Sequence, residues 1–524
     1  MSLLQPTDEV RSPSLDYRDS FNIDEPDLGS QEHLLLDPWG YSALSNRAAS
    51  ILPWRRRRPY NSRNAVAWNR NSRRRRWRLF TYLRRFFVIL ISFILLVALF
   101  RPSYTKRPRH YNLLRNQALI SEKPGRGNPR NEKVFIATSI FDPDGKLAYG
   151  QWSQNLFDLI DLLGPENTFL SIYENDSGDQ TITALDYIKK HTACNHSLVY
   201  DPHLDTTDLQ HITLEDGSTR VKRIAYLAEA RNRALRPLDT PMETKFDKLL
   251  YVNDVYFKPI DAIQLLFSTN VDKDGIAQYR AACAVDFINP FKFYDNFASR
   301  DLEGYSMGLP FFPWFTNSGA AESRKDVLKQ KDAVRVRSCW GGMIAFDARF
   351  FQATSDQVIS SSNNNTTDFS QQRKPVRFRA EPEIYWDASE CCLVNADIQI
   401  PPEKSSDPID TGIYMNPYIR VAYKDSTLSW LWFTRRFERL YSIPHNILNH
   451  LVGLPWKNTR RTEHSGDQIE DSYWASNDDG SSSYQASTRV AGTGGFCGRR
   501  ALQVMKLHPK AGEKNWEMIP IPTS

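Results

Sequence analysis

The chain has 524 residues, enough for two or more domains or for one large domain with tails. Its composition, with 41% hydrophobic and 12% aromatic residues, is that of a globular protein with a sizeable core. The net charge of +6 does not describe a uniformly basic protein, because residues 1–130 hold 24 Lys and Arg against 10 Asp and Glu, whereas the remainder holds 43 against 51. The basic character therefore belongs to the N-terminal segment.

An uncharged apolar run at residues 86–100 lies inside this basic segment, directly after Arg84 and Arg85 and directly before Arg101. It is shorter than the roughly 20 residues of a usual spanning helix, but residues 79–83 add apolar length and the flanking arginines can reach the interface. A buried core helix is the alternative. A cleaved signal peptide does not fit, because the run begins too far from the N-terminus. We therefore predict a transmembrane signal anchor at 86–100, starting at 79 if the preceding apolar residues are included.

Two arginine blocks, 55–58 and 73–76, precede the predicted anchor. Such runs bind nucleic acid, direct localisation or contact anionic membranes. With an anchor behind them, the positive-inside rule places residues 1–85 in the cytosol and everything after about 101 in a lumen. The six cysteines all follow the anchor and allow fifteen disulfide pairings. Sequons at Asn175, Asn195, Asn364 and Asn365 also fit a lumenal location.

Composition divides the chain further. We predict a disordered, Arg-rich cytosolic tail at 1–85, a stem at 101–130, a folded lumenal domain at 131–435 and a partly disordered C-terminal extension at 436–524. Within the extension, residues 459–495 are rich in Ser, Asp and Gly, so we expect little fixed structure there.

The predicted folded domain alternates apolar runs with polar loops and helical patterns. The runs predict strands at 133–138, 169–173, 249–252 and 280–285, and the patterns predict helices at 152–163, 181–190, 223–235 and 260–267. This alternation is typical of a parallel sheet with helices on its faces. Residues 288–316 are dense in aromatic residues and Pro without a clear period, which fits either core packing or stacking on saccharide rings.

Polar residues follow several of these strands. Asn253 and Asp254 come directly after the apolar run 249–252, Asp286 follows 280–285, and polar loops occupy 139–145 and 174–179. The carboxyl ends of parallel strands meet at one sheet edge, where ligands bind. A carboxylate there can hold Mg²⁺ or Mn²⁺ against substrate phosphates. An ordinary turn is the alternative for an Asn-Asp pair.

The absence of three sequence motifs narrows the class. The sequence has no P-loop motif, no G-x-G-x-x-G and no G-x-S-x-G. A P-loop enzyme, a dinucleotide-binding fold of the usual kind and an α/β-hydrolase are therefore disfavoured.

The order of several short motifs resembles the fungal capsule-associated α-1,3-mannosyltransferase family, glycosyltransferase family 69. The resemblance covers roughly 133–397. It implies a GT-A-like α/β fold, a mixed, mostly parallel sheet flanked by helices behind an N-terminal transmembrane helix. It also implies a type II membrane protein of capsule or polysaccharide biosynthesis that uses GDP-mannose and a divalent cation. The motifs are Ala230-Arg231-Asn232, Asn253-Asp254-Val255, Cys283-Ala284-Val285-Asp286-Phe287, Cys339-Trp340-Gly341-Gly342 and Ser389-Glu390-Cys391-Cys392-Leu393.

The resemblance also implies roles for individual residues. Asp254 would be the metal ligand with Asn253 in support, and Arg231 and Asn232 would meet the donor diphosphate. For Arg231, a salt bridge on the helix surface is the alternative, and for the acids of 381–390 it is solvated surface. The remaining implied residues are Ser139, Glu174, Asn175, Asp176 and Asp179 for donor binding, Trp340, Gly341 and Gly342 for the acceptor, and Asp286, Glu381, Glu383 and Glu390 for catalysis.

One departure from the usual pattern concerns the metal. GT-A enzymes commonly present Asp-x-Asp at this strand end, whereas Val252-Asn253-Asp254 keeps only the last acid. We predict a Golgi or early-secretory glycosyltransferase that moves mannose from GDP-mannose to a glycan hydroxyl with Mn²⁺ or Mg²⁺, retaining configuration. A catalytically inactive lumenal carbohydrate-binding or scaffold protein is the alternative, and a nucleic-acid binder would require a nuclear tail.

Overall fold

The computed structural model describes residues 65–522 except 179, 215, 241–242, 354–373, 401–409, 477–481 and 511–512. The predictions for residues 1–64, for Asp179 and for the sequons at Asn364 and Asn365 lie outside the described residues. The chain divides into two compact units. Residues 65–102 of the first unit are described, and the second unit contains Ser103 to the C-terminus.

The first unit is built around helix α1, Ala65–Phe100. Its part Trp77–Phe100 is 24 residues long with a mean hydropathy of 2.5, long and apolar enough to cross a membrane. This part begins before the predicted anchor because Leu79, Phe80 and Leu83 continue the apolar run and the helix carries Arg84 and Arg85 within it.

The second unit contains the remaining helices and strands. The further helices are α2 Arg109–Ile120, α3 Gln151–Leu163, α4 Gln180–His191, α5 Arg223–Leu235, α6 Pro259–Ser268, α7 Glu322–Leu328, α8 Glu390–Ile398, α9 Asp425–Thr434 and α10 Glu438–Leu451. The strands are β1 Val134–Ile140, β2 Thr168–Asn175, β3 Asn195–Asp201, β4 His211–Thr213, β5 Thr219–Val221, β6 Lys248–Val252, β7 Ala281–Asn289, β8 Lys292–Phe293, β9 Arg300–Asp301, β10 Val334–Ser338, β11 Met343–Asp347, β12 Trp386–Ala388, β13 Ile413–Ala422, β14 Gln468–Ser476, β15 Ser482–Val490, β16 Gly498–Arg500, β17 Gln503–Met505 and β18 Trp516–Met518.

The central sheet runs in the order β3-β2-β1-β6-β11-β7-β13-β10-β9, with β8 beside β7. Neighbours from β3 to β6 are parallel, as are β7 and β13. Strand β11 is antiparallel to β6 and to β7, between which it lies, and β10 is antiparallel to β13. The predicted α/β fold with a mixed, mostly parallel sheet flanked by helices is therefore confirmed.

Burial explains why these strands form the core. Every residue of β1 and β6 is buried, as expected of parallel strands covered by helices on both faces. Helix α3 places Trp152, Leu156 and Leu159 on its buried side at helical spacing, and it ends at Gly164, whose φ of +92° suits a glycine. The sheet and its flanking helices share one hydrophobic cluster.

The segments on either side of the predicted lumenal domain are also ordered where the structure describes them. Helix α2, within the predicted stem, buries Tyr111 and Leu114. Strands β14 and β15 form a hairpin where we expected little fixed structure. The Ser- and Asp-rich composition hides aromatic contacts, such as the packing of the rings of Trp474 and Tyr484 with centroids 5.0 Å apart.

The aromatic stretch 288–316 packs into the core, with Trp314 buried.

Two disulfides and two buried free thiols account for the six cysteines. Cys283 pairs with Cys339 and Cys392 pairs with Cys497. The free thiols are those of Cys194 and Cys391. The first disulfide joins β7 to the chain just after β10, and the second ties α8 to the C-terminal segment.

Candidate functional site

The end of β6 is fixed from both sides by hydrogen bonds to Asn253. Its backbone N–H donates to the carbonyl of Gly342 at 2.9 Å, and its own carbonyl accepts from Nε1 of Trp152 at 3.0 Å. Asn253 is buried, whereas the next residue, Asp254, is only partly buried. Asp254 therefore directly follows a strand end whose backbone is hydrogen-bonded on both sides.

A buried ion pair lies behind this strand end. Helix α5 carries Arg231, whose Nε donates to Oε1 of Glu390 at 2.9 Å and whose terminal nitrogen donates to Oδ1 of Asn253 at 3.2 Å. The guanidinium carbon also lies 4.5 Å from the ring centroid of Trp340. Both charged side chains are almost fully buried, with 3% exposed for Arg231 and none for Glu390. Arg231 therefore contacts Asn253 in this structure, and its salt bridge is buried rather than on the helix surface.

The Trp340-Gly341-Gly342 turn packs against the neighbouring strand β7. Gly341 and Gly342 have φ of +60° and +66°. A Cβ on Gly341 would lie 2.0 Å from the carbonyl oxygen of Ala284, and one on Gly342 would lie 2.8 Å from a methyl of Val255. Both positions therefore require glycine for conformation and for space.

Two buried carboxyl groups hold this turn. Oδ2 of Asp295 accepts from the backbone N–H groups of Trp340 at 2.9 Å and Gly341 at 3.0 Å. Asp286 accepts from the backbone N–H of Asp295 at 3.1 Å and from the hydroxyl of Tyr423 at 3.2 Å. Burial raises the pKa of both carboxyl groups, and the charge of Asp295 raises that of Asp286 further. Sequence reasoning missed Asp295, because it lies in the aperiodic aromatic stretch rather than at a recognisable strand end.

The proposed donor loop lies at the ends of β1 and β2. Ser139 shares a hydrogen bond of 2.8 Å with the hydroxyl of Tyr251 on β6. Asn175 donates to the hydroxyl of Tyr226 at 2.8 Å, and that hydroxyl donates to Asp176 at 2.9 Å. Asn175 is 2% exposed, which leaves no room for a glycan at its sequon.

Glu174 is the exceptional residue of this loop. It is fully buried, and neither of its carboxyl oxygens has a hydrogen-bond partner among the described residues. Burial raises the pKa of this carboxyl to about 8; the nearby backbone N–H of Asp142 opposes the rise, and the charges of Asp142 and Asp176 add to it. A buried, unpaired carboxyl group of this kind needs either a proton or a ligand.

Three further sequence-predicted residues also have protein partners. The side-chain amide of Asn232 pairs with the backbone of Phe378, donating at 2.9 Å and accepting at 2.8 Å. Glu381 pairs with Arg379 at 2.9 Å and Glu383 with Arg460 at 2.5 Å. The structure therefore brings Asn253, Arg231, Glu390, Trp340 and Asp286 into one connected cluster but does not bring Glu381 or Glu383 into it.

The side chains present constrain how a metal ion can bind. Among the described residues, no three His, Cys, Asp or Glu side chains are grouped so as to hold a metal ion. The amide oxygen of Asn253 already accepts from Arg231. Asp254 is thus the one carboxylate that this strand end offers, and a divalent cation there would take most of its ligands from substrate and water.

The mixed α/β sheet and the carboxylates at its edge fit the class of glycosyltransferases. Comparison with known families agrees: the family described as Cryptococcal mannosyltransferase 1 matches residues 133–397, just over half of the chain. The chain belongs to this family. The suspected resemblance is thereby confirmed. No curated protein sequence matches the chain significantly.

Solved structures show remote similarity. The mannosyltransferase PcManGT from Pyrobaculum calidifontis, in complex with GDP-Man and Mn²⁺, is 10% identical with a TM-score of 0.31, over 70% of this chain and 74% of that one. S. aureus TarS 1-349 in complex with UDP-GlcNAc is 9% identical with a TM-score of 0.25, over 56% of this chain. The present chain spans 59% of the length of that TarS chain.

Proposed function

We propose that this glycosyltransferase transfers mannose from GDP-mannose to a hydroxyl of a glycan, forms an α-1,3 linkage and retains the anomeric configuration. The observation that carries the proposal is the partly exposed Asp254 at the carboxyl edge of the sheet, directly after Asn253, whose side chain accepts a hydrogen bond from Arg231. Ligands bind at this edge in open α/β sheets. The family's description as a mannosyltransferase supports the choice of sugar.

A divalent cation, Mn²⁺ or Mg²⁺, fits Asp254 only together with the donor. Hard cations accept carboxylate, phosphate and water oxygens, and Mg²⁺ usually keeps several waters. When bound, the cation would neutralise charge on the departing diphosphate. Because the protein supplies one carboxylate, we expect the cation and GDP-mannose to bind cooperatively and the cation alone to bind weakly.

Unpaired polar atoms in the cluster support sugar recognition. Oε2 of Glu390 and Nε1 of Trp340 are buried, and neither has a hydrogen-bond partner among the described residues. Both side chains contact Arg231. An unpaired acceptor and an unpaired donor in one cluster match the hydroxyl groups of a sugar, which accept and donate. We assign Glu390 and Trp340 to sugar binding, with Gly341 and Gly342 shaping the site through the turn.

Asp286 is the proposed acid that faces the reacting sugar. It lies on β7 beside the Gly342 turn, where a Cβ on Gly342 would be 3.4 Å from that of Asp286. Asp295 holds both Asp286 and the turn through backbone hydrogen bonds. We therefore assign Asp295 as a positioning residue. The proposed donor-binding residues remain Ser139, Glu174, Asn175, Asp176, Asp179, Arg231 and Asn232.

The proposed location is a Golgi or early-secretory membrane, with the second unit in the lumen. The part Trp77–Phe100 of helix α1 has the length and hydropathy of a single span, and both arginine blocks precede this part. Among the sequons in the described part of the chain, the one at Asn195 has an exposed asparagine, and we propose it as the glycosylation site.

An inactive carbohydrate-binding protein is the second candidate, because the strand end holds a single carboxylate. A panel of nucleotide sugars separates the two. The full chain in detergent would be mixed with a mannose-terminated oligosaccharide, Mn²⁺ and either GDP-mannose, GDP-fucose, UDP-glucose or UDP-N-acetylglucosamine. We expect release of free nucleotide and a mannosylated product with GDP-mannose. Binding of the oligosaccharide without nucleotide release from any donor would favour the inactive alternative.

A further inference from the structure

We propose that the outer face of helices α9 and α10 rests on the lipid bilayer that holds the N-terminal span. This outer face consists of the apolar side chains that these two consecutive helices direct to solvent in the structure. They are Trp430, Trp432, Phe433, Ile443, Ile447 and Leu451. The proposal rests on Trp77–Phe100 crossing a membrane and does not depend on the reaction catalysed.

Helix α10 exposes its apolar side and buries its polar side, which is the reverse of the usual arrangement in a soluble protein. Ile443, Ile447 and Leu451 recur every four residues, so they form one stripe, and they are 71%, 55% and 71% exposed. The residues that α10 buries are polar: Glu438, His445 and Asn449. A surface helix normally turns its apolar stripe toward the core.

The polar side of α10 forms specific contacts with the rest of the folded unit, and these contacts set the orientation of the helix about its axis. Glu438 forms a buried ion pair with Arg420, with one contact at 3.0 Å. Asn449 accepts from the backbone N–H of Leu309 at 2.7 Å, and Nε2 of His445 lies 3.0 Å from the carbonyl of the same residue. These contacts fix which side of the helix faces outward.

Helix α9 also exposes apolar side chains. Trp430 is 57% exposed, Trp432 65% and Phe433 40%, and the residues that α9 buries are Thr427, Leu431 and Thr434. Isolated exposed apolar residues are normal, but the rings of Trp430 and Trp432 both contact the ring of Phe433, with centroids 5.8 and 5.9 Å apart, and a contiguous exposed patch marks an interaction site. Tryptophan is enriched at membrane interfaces, where its ring contacts acyl chains and its N–H reaches water or headgroups.

The outer face lies near the point where the chain leaves the predicted membrane span, because residues directly after the span contact the corner between α9 and α10. Ser103, the first residue of the second unit, donates to the carbonyl of Arg435, and Arg435 donates to the carbonyl of Tyr104, at 2.9 and 3.1 Å. Arg435 lies in the corner between α9, which ends at Thr434, and α10, which begins at Glu438. Only Arg101 and Pro102 separate Ser103 from the last residue of α1. At about 3.8 Å per residue, the end of the span lies within roughly 11 Å of Ser103.

A bilayer therefore fits the outer face better than a partner protein does. Interfacial helices bury one apolar face by about 5–10 Å at the headgroup boundary. The outer face provides such a stripe next to the point where the span enters the folded unit. A second copy of the chain would also cover apolar side chains, but it would have to bind first. The contacts of Ser103 and Tyr104 with Arg435 keep the outer face near the membrane without a further binding event.

Fluorescence quenching by spin-labelled lipids tests the proposal. Ile447→Cys and Leu451→Cys would be introduced separately into the full chain, labelled with an environment-sensitive fluorophore and reconstituted in phosphatidylcholine vesicles. Ile182→Cys is the matched control, because Ile182 is also exposed, at 47%, but lies on α4 beside the opposite edge strand β3. The parent chain accounts for labelling of the buried thiols of Cys194 and Cys391.

We expect blue-shifted emission and loss of emission with nitroxide lipids at the first two positions, with greater loss for a nitroxide near the headgroup than for one near the chain end. The control should keep the emission of a water-exposed probe. Emission at all three positions that is equally insensitive to nitroxide lipid would overturn the proposal. A blue shift at 447 and 451 that depends on protein concentration and is insensitive to nitroxide lipid would also overturn it and identify a second copy as the occupant.

Discussion

The cluster of Asn253, Arg231, Glu390, Trp340 and Asp286 and helix α10 both bury polar side chains, but they differ in whether those side chains have hydrogen-bond partners. On α10, Glu438, His445 and Asn449 each have protein partners. In the strand-end region, Glu390, Trp340 and the donor-loop residue Glu174 each keep at least one buried polar atom without a partner among the described residues. Paired polar groups stabilise a particular packing, whereas unpaired ones carry a cost that a ligand can relieve. This contrast is the reason why we propose the cluster as the site and treat α10 as scaffold.

The largest expected effect is from breaking the buried ion pair of the cluster. Arg231→Ala leaves the carboxylate of Glu390 buried without its partner, so we expect a loss of about 3–5 kcal/mol in the free energy of unfolding. Urea denaturation of the full chain in detergent measures it.

Arg236→Ala is the matched control for this change. Arg236 follows the same helix, is 57% exposed and pairs with Glu229 at 3.7 Å. An exposed ion pair contributes about 0–1 kcal/mol. Equal losses in the two variants would contradict the view that the Arg231 pair holds the site.

The next effect is a change in how stability depends on pH. Because the pKa of Glu174 is raised to about 8 in the folded chain, its contribution to stability is complete below its ordinary pKa and is lost as pH rises to about 8. At about 1.4 kcal/mol per pH unit, wild type should lose on the order of 3 kcal/mol between pH 5 and pH 8. Glu174→Gln keeps a neutral side chain at every pH.

Urea denaturation of wild type and Glu174→Gln at pH 5, 6, 7 and 8 measures this difference. We expect the glutamine variant to gain stability relative to wild type as pH rises. Parallel pH profiles for the two proteins would show that Glu174 is ionised in the folded chain at neutral pH.

The smallest effects compare the two sides of α10. Asn449→Ala removes the acceptor of the Leu309 N–H, which should cost about 1–3 kcal/mol. Ile447→Ser, on the exposed stripe, should change stability in detergent by no more than about 0.5 kcal/mol. A larger loss for Ile447→Ser than for Asn449→Ala would mean that the apolar stripe packs against protein.

Local sequence patterns predicted much of the fold. The apolar runs located β1, β2, β6 and β7 because buried parallel strands are apolar on both faces, and the helix predicted at 223–235 has the bounds of α5. The antiparallel insertion of β11 between β6 and β7 was not predictable, because strand order depends on contacts far apart in the chain. The hairpin β14–β15 was missed because its polar composition obscures the alternation.

Prediction of the candidate site is also limited by contacts between residues far apart in the chain. A carboxylate after a buried strand predicts a sheet-edge site, and Asp254 lies there. The side chain of Asn253 hydrogen-bonds to Arg231, which is 22 residues away in the sequence. Asp295 accepts from the backbone N–H of Trp340, which is 45 residues away. Sequence reasoning could name Arg231 and Trp340 but could not show that they contact each other.

The most direct test of the central claim is turnover of GDP-mannose by wild type and Asp254→Asn. Asp158→Asn, at an exposed position of α3, is the control. With Mn²⁺ present, we expect wild type and the control to be active and Asp254→Asn to lose on the order of 100-fold in kcat at an unchanged thermal midpoint, since one charge-stabilising group is removed. Full activity of Asp254→Asn with GDP-mannose would contradict the account.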